Sequence, residues 1–268
     1  MLATITFTPE ERQSDAPHLD TVRAAAAAMR TFGYVLLHGV FEADFIDALC
    51  HAHLVRHDGL ASGGRPAGAG EVGNKRYMTA LEFSPPFNTP RIYANPLILP
   101  VLESVLGPDL IVGAAGVVTS LPGAKDQHCH RDGSPLFNEA VNRISPPHAV
   151  DFFVPLVEFN ETTGTTRLFP RTHYGNDAVL KETAGVEPVI PRGSCMLMDY
   201  RLFHQGLENR SERARPLLFF VFHKPWFKDY QNHRRGPFFR LSDSEFAGMR
   251  PEHRRLLAWI EHYRTGLY

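Results

Sequence analysis

Neither sign of charge dominates this chain: Lys and Arg number 28 and Asp and Glu 29 among 268 residues. That balance argues against nucleic acid or an anionic membrane surface as the main partner and leaves a small molecule as the expected one. Cysteine is scarce. Cys50, Cys129 and Cys195 are odd in number, widely spaced and form no Cys-x-x-Cys pair, so no disulfide framework is expected and a reducing compartment is the simplest reading. Long apolar runs are missing as well. The opening residues lack the basic start and apolar stretch of a signal peptide, and nothing is long enough to span a bilayer, so a cytoplasmic protein is expected. Internal repeats are absent, and composition carries no information on oligomeric state. What is present is a 43% apolar content, enough for a sizeable core in one barrel-like domain.

Residues 20–30 read as a helix, with the alanine run 24–28 giving high propensity and Gly33 at the C-terminal cap. Residues 34–38 read as a strand. In 42–55, Phe45, Ile46, Leu49 and His53 recur at helical spacing. His38, His51, His53 and His57 have no carboxylate at ligand spacing, and structural or surface roles are expected for them. Residues 58–74 are rich in Gly, Ala and Ser and read as a mobile loop, either a tolerated insertion or a lid. Residues 97–106 read as a short helix. From 110 onward, short apolar runs alternate with turn signals: 110–112, 117–121, 150–157, 167–169, 186–190, 195–198 and 216–222. Such spacing predicts an all-β sandwich or barrel. One or two helices follow in 242–259. Helices first and strands later suggest a jelly-roll core buttressed by helices. The expected division is a mainly helical part (1–109), a core (110–223) and a C-terminal helical extension (224–268) within a single domain.

The chemistry-bearing stretch is 127–133. His130 and Asp132 are two residues apart, which on a strand puts both side chains on one face. His204, 72 residues beyond Asp132, suits a third ligand brought in by sheet closure. Two imidazoles and one carboxylate form the facial set of non-haem Fe(II) oxygenases, which leaves positions open for substrate and dioxygen. His-x-Asp arises by chance in many chains, but Arg215 adds to it. It opens the apolar strand 216–222, and a guanidinium there needs an anionic partner, from a ligand or from another strand. His128 falls one pleat from His130, which suits a neighbouring, substrate-facing or structural role better than coordination.

At these residues the chain resembles the phytanoyl-CoA dioxygenase family of Fe(II)/2-oxoglutarate oxygenases. The likeness rests on Gln127-x-x-His130-x-Asp132, on Gly164-x-Thr166 with Pro170-Arg171-Thr172-His173, and on Asp199 followed by His204 and Arg215. It implies a mainly β fold with flanking helices and a double-stranded β-helix (jelly-roll, cupin-like) core. It implies His130, Asp132 and His204 as Fe(II) ligands and Arg215 as the anchor for the distal carboxylate of 2-oxoglutarate. Gln127 and Thr166 match positions that help hold that cosubstrate, and Lys75 and Phe153 fall where some members contact it. Relatives commonly have Pro-Gly-Ser-His where this chain has Pro170-Arg171-Thr172-His173, which puts the turn's conformation in question. Strict alternation also sets Gln127 on the opposite face from His130, so a bulge is required.

The implied activity is an O2-consuming dioxygenase that oxidises a C–H bond of a small organic molecule, with succinate and carbon dioxide as co-products. Hydroxylation comes first among its outcomes, and tailoring of secondary metabolites is one setting. Desaturation, epoxidation and cyclisation share the ligand set and stay open, as does the substrate. Asp132 argues against halogenation, since related halogenases replace that carboxylate. The alternatives are a divalent-metal hydrolase or isomerase on a cupin-like fold, and a non-catalytic jelly-roll binding protein.

Overall fold

The computed structural model describes residues 2–61, 63–230, 232 and 238–261. In chain order the elements are β1 (Thr4–Thr6), α1 (Pro9–Ser14), α2 (Leu19–Phe32), β2 (Tyr34–His38), α3 (Ala43–Arg56), α4 (Asp58–Ala61), β3 (Gly70–Gly73), β4 (Arg76–Glu82), α5 (Pro90–Tyr93), α6 (Leu99–Leu106), β5 (Ile111–Ser120), α7 (Glu139–Ile144), β6 (Ala149–Pro155), β7 (Thr166–Leu168), β8 (Cys195–Asp199), β9 (His204–Gly206), β10 (Arg215–His223), β11 (Phe239–Arg240), α8 (Asp243–Gly248) and α9 (Pro251–Arg254). The main sheet has nine strands in the order β1-β2-β8-β6-β10-β5-β4-β11, with β3 paired to β4. A small second sheet pairs β7 with β9. Single pairings extend it: His130 with His204, Leu168 with Val186 and Phe159 with Ile190. This is the mainly β, helix-flanked jelly roll expected from the sequence.

Alternation along the strands builds two cores. On β6 and β10, Phe152, Val154, Leu218, Phe220 and Phe222 face outward from the cavity between the sheets and pack with Val22, Met29, Ile46, Leu49 and Leu102 of the helices. Phe153, Phe219 and Val221 face the other way, with Met196, Met198 and Leu168. Both faces are covered, which is why β6 is buried along its whole length.

The N-terminal part is more than helical, since β1 to β4 all join the main sheet. The runs 110–112 and 117–121 form one strand, β5. Its intervening small residues are dictated by space: a Cβ on Gly116 would lie 2.6 Å from the Thr79 carbonyl oxygen and 2.8 Å from the Phe219 ring. The run 186–190 contributes only single pairings. Segment 58–74, of which residue 62 lies outside the described residues, carries α4 and β3 rather than being loop throughout. Of the expected C-terminal extension, residues 231, 233–237 and 262–268 lie outside the described residues. Among the described residues no helix is long and apolar enough to cross a membrane.

The Gly33 cap forms as expected, at φ 82° and with its N–H bonded to the Met29 carbonyl at 2.9 Å. The turn with the unusual sequence takes a glycine-like shape despite Arg171, whose φ is 70°. Arg171 N–H donates to the Phe32 carbonyl at 2.9 Å, and its guanidinium lies 5.5 Å from the Phe32 ring centroid. The end of α2 therefore holds the residue in a conformation that costs a non-glycine about 1–2 kcal/mol.

His53 is a core residue: its Nε2 lies 2.9 Å from the Thr119 hydroxyl, and burial, with smaller help from His57 and Arg56, pushes its pKa down to about 3. The unfolded chain takes up this proton near 6.5 and the folded chain only near 3. The contribution to stability is thus full above the unfolded pKa and lost as pH falls toward the folded one, by about 1.4 kcal/mol per unit. Urea unfolding at about pH 7 and about pH 5.5 should show a pH-dependent loss that is smaller by about 1 kcal/mol in His53→Gln than in the wild type. Equal losses in the two proteins would reject this role.

Candidate active site

Between the sheets lies a cavity of about 600 Å³. The main sheet contributes alternate residues to it: Arg76 and Met78 of β4, Val118 and Ser120 of β5, Asp151 and Phe153 of β6, and Arg215, Leu217, Phe219 and Val221 of β10. The small sheet contributes Thr166, His204 and Gly206.

His130, Asp132 and His204 meet here, with candidate ligand atoms all within 4.8 Å of one another. His130 Nε2 is 3.7 Å from Asp132 Oδ1 and His204 Nε2 is 3.5 Å from Asp132 Oδ2. The backbone sets this meeting: His130 N–H donates to the His204 carbonyl at 3.0 Å, and His204 N–H to the His130 carbonyl at 2.9 Å. Each ring is then oriented from behind. His130 Nδ1 lies 2.9 Å from the His128 carbonyl and His204 Nδ1 lies 3.2 Å from the Leu202 carbonyl. Donation from both Nδ1 atoms fixes the tautomer that turns a bare Nε2 toward the carboxylate, as metal-ligating histidines require. Burial and the neighbouring His204 lower the His130 pKa, with Asp132 opposing, which favours the neutral ring a metal needs. By donor type and orientation the three residues fit a divalent transition metal with open positions.

Gln127 reaches the same cavity through a bulge. Its N–H bonds the Gly206 carbonyl, whereas His130 bonds His204, so a three-residue step faces a two-residue step on β9. Gln205 Nε2 donates to the Gln127 carbonyl at 2.7 Å and holds the bulge. Arg131 anchors the other flank, donating to the Thr172 and Gly175 carbonyls and lying 4.0 Å from the Phe203 ring centroid. Thr166 and Phe153 also line the cavity, and His128 sits at its edge with its ring 5.1 Å from that of His130.

Arg215 is buried, 4% exposed, and has no carboxylate partner among the described residues. Its Nη1 donates to the Thr163 and Leu207 carbonyls, both at 3.1 Å, its Nη2 to the Ser120 hydroxyl at 3.0 Å, and its Nε has no partner. Gly164 makes room for it. A Cβ there would lie 2.3 Å from Arg215 Nη1, and its φ of 78° favours glycine in any case. Beside it lies a second guanidinium that the sequence did not single out. Arg76 is 2% exposed, shares the Leu207 carbonyl at 3.1 Å, and also has an unpartnered Nε. Burial pushes Arg76 down to about 10; burial and then Arg76 push Arg215 down to about 9. Lys75, the expected contact, is not in the cavity. It is exposed at φ 49° in the turn before β4 and donates to the Pro122 carbonyl at 3.3 Å. Alternation along β4 sends Arg76 inward and Lys75 away. Asp151 was missed too: it faces the cavity at 2% exposure, and burial followed by the Asp132 carboxylate raises its pKa well above the ordinary range.

A two-histidine, one-carboxylate face between the sheets of a double-stranded β-helix is the site class of non-haem iron oxygenases. Residues 29–217 match the model of phytanoyl-CoA dioxygenase (PhyH), and the chain belongs to that family. It is 33% identical over 139 residues to dioxygenase aneA of Aspergillus aculeatus (48% of this chain, 46% of that protein). It is 30% identical over 159 residues to dioxygenase trt7 of Aspergillus terreus (57% and 54%). The chain thus spans about half the length of the curated relatives it matches. In fold it is similar to the α-ketoglutarate-dependent epimerase SnoN from nogalamycin biosynthesis, with a TM-score of 0.59 and 19% identity over 77% of this chain and 84% of that one. HygX from Streptomyces hygroscopicus, solved with nickel, 2-oxoglutarate and hygromycin B, gives a TM-score of 0.58 at 15% identity, covering 78% of this chain and 90% of that one.

The triad makes a direct prediction. Under anaerobic conditions the wild type should take up Fe(II) at a single tight site, and His130→Ala, Asp132→Ala and His204→Ala should each lose it while keeping the wild-type circular dichroism spectrum. Unchanged uptake by any one variant removes that residue from the site.

Proposed function

We propose that this chain is an Fe(II)- and 2-oxoglutarate-dependent dioxygenase that oxidises a C–H bond of a small organic molecule, hydroxylation first among its outcomes, with succinate and carbon dioxide as co-products. The observation that carries the reading is the pair of buried guanidiniums, Arg76 and Arg215, without a carboxylate partner among the described residues and in one cavity with His130, Asp132 and His204. A dicarboxylate supplies what they lack: planar oxygens for the guanidinium forks at one end and donor oxygens for a metal at the other. Bound Fe(II) supplies a centre for dioxygen activation coupled to decarboxylation of the 2-oxo acid.

The chain's own part is orientation and exclusion of water. Arg215 and Arg76 neutralise the distal carboxylate in a dry environment, where such pairing is strong. Ser120 and Thr166 flank it with hydroxyl groups, Gln127 offers an amide, and Phe153, Leu217 and Phe219 wall off solvent. Segment 58–74 supplies part of the cover through Glu71, Val72 and Gly73, and Gln127 Nε2 donates to the Val72 carbonyl at 2.9 Å. A hydrolase or isomerase on the same triad leaves both guanidiniums without an anionic partner. The relatives named dioxygenase and the 2-oxoglutarate bound in HygX support the same reading. SnoN, from nogalamycin biosynthesis, and HygX, solved with hygromycin B, favour tailoring of a secondary metabolite as the setting.

The test is spectroscopic. Anaerobic Fe(II) and 2-oxoglutarate should give the visible charge-transfer band of the chelate. In Arg215→Ala, 2-oxoglutarate binding should weaken by about 2–5 kcal/mol, the range for truncating one side of a buried charge pair, with much less change in Fe(II) affinity. An unchanged dissociation constant would sink the assignment of Arg215. Amide exchange across 70–73 should slow when Fe(II) and 2-oxoglutarate are added; equal exchange in both states would make the segment an ordinary surface hairpin.

A further inference from the structure

The cavity is polarised along β10. Its inward residues run Arg215, Leu217, Phe219 and Val221, and Asp151 of β6 lies directly across from Val221. Six residues of strand separate the two ends, about 20 Å. A five-carbon diacid held at Arg215 is far shorter than that. Asp151 therefore lies toward the other end of the cavity from Arg215, beside Asp132.

Apart from a hydrogen bond with Asp132, nothing among the described residues engages Asp151. It is 2% exposed, its Oδ2 is buried without a hydrogen-bond partner, and no cation pairs with it among the described residues. The charged groups closest to it are other carboxylates: Asp132, Asp199 and Asp229. Two of these are engaged elsewhere. Asp199 is bonded by Arg201 at 2.8 and 2.9 Å, and Asp229 accepts from the Tyr200 hydroxyl at 2.5 Å and from Asn232 at 2.9 Å. Phe153, Phe219 and Val221, its neighbours on the same inward face, are apolar. A valine at 151 would continue the pattern of β6, and a buried carboxyl group with an open oxygen is destabilising. A ligand that donates a hydrogen bond removes the penalty.

We propose that Asp151 is a substrate-contacting residue, and that the cavity takes an otherwise apolar molecule whose hydrogen-bond-donating group, a hydroxyl or an amine, is bound by the open oxygen of Asp151. Because Asp151 adjoins Asp132, that group anchors the substrate a few bonds from the carbon presented to the metal. The inference rests on the dioxygenase reading above, since that reading defines which end of the cavity the cosubstrate fills.

The test uses the full chain loaded with zinc and saturated with 2-oxoglutarate, so that probes bind without turnover. Borneol, bornylamine and bornyl methyl ether share one rigid apolar skeleton, and the ether lacks the donor. Ligand-observed NMR should give at least about tenfold tighter binding for borneol or bornylamine than for the ether, as expected of a site built around a donor. In Asp151→Leu, with zinc and 2-oxoglutarate again held at saturation, the preference should fall to within about twofold. Asp151→Asn keeps an acceptor oxygen, so there the preference for borneol over the ether should survive. Wild-type protein that shows no donor preference, or a preference that persists in Asp151→Leu, overturns the proposal. Failure of the iron chelate band to form would instead overturn the dioxygenase reading.

Discussion

Two reciprocal backbone hydrogen bonds between His130 and His204 hold the site together, and most of the architecture serves to form them. They join a segment that leaves the main sheet after β5 to a strand of the small sheet, so both sheets must be built and facing before the ligands meet. The buried Asp199–Arg201 pair sits just upstream of His204. Arg201 also donates to Asn142 of α7 at 3.0 Å, which ties the segment after Asp132 to the approach of β9. Arg131 grips the 172–175 turn from the other side. The metal-binding face is thus fixed by bonds made behind it, and the Nε2 atoms need no rearrangement to present a donor set.

Electrostatics divides the cavity in the same economical way. Guanidiniums collect at one end and carboxylates at the other, with the imidazoles between. Within either end like charges are close, so the apo protein carries repulsion that a divalent cation and a dianion would relieve together. On the reading proposed above, each ligand would improve the site for the other: Asp132 would help to hold the cation, and Arg76 and Arg215 would face the anion. The energetic load of these buried groups falls on the back-face core, where α2, α3 and α6 pack on strands β2, β6, β8 and β10. A binding site with unmet hydrogen bonds persists only on a scaffold stable without it.

Legibility in the sequence followed the locality of each signal. His130 and Asp132 are two residues apart, and Arg215 opens a strand, so residue type and spacing sufficed to single them out. The helices 19–32 and 43–56 were readable from caps and periodicity. Arg76 was not, because β4 carries Arg76, Tyr77, Thr79 and Glu82 among few aliphatics and did not read as a strand; without the strand, Lys75 and Arg76 could not be assigned to faces. Asp151 was hidden in the opposite way. It stands in so apolar a run that the run was read whole, although one acid among Ala149, Val150, Phe152 and Phe153 was itself the anomaly. The N-terminal strands were underestimated because β1 has three residues and finds its partner only once β2 is in the sheet.

Burial along the cavity also gives it a direction. Arg76, Ser120 and Arg215 at one end are at most 4% exposed, whereas the side chains of His130 and Asp132 are 23% and 28% exposed, and His128 and Glu71 stand open at the edge. A molecule held beside Asp132 would lie between solvent and the metal-binding face, and its own apolar body would add to the water exclusion that the protein walls begin.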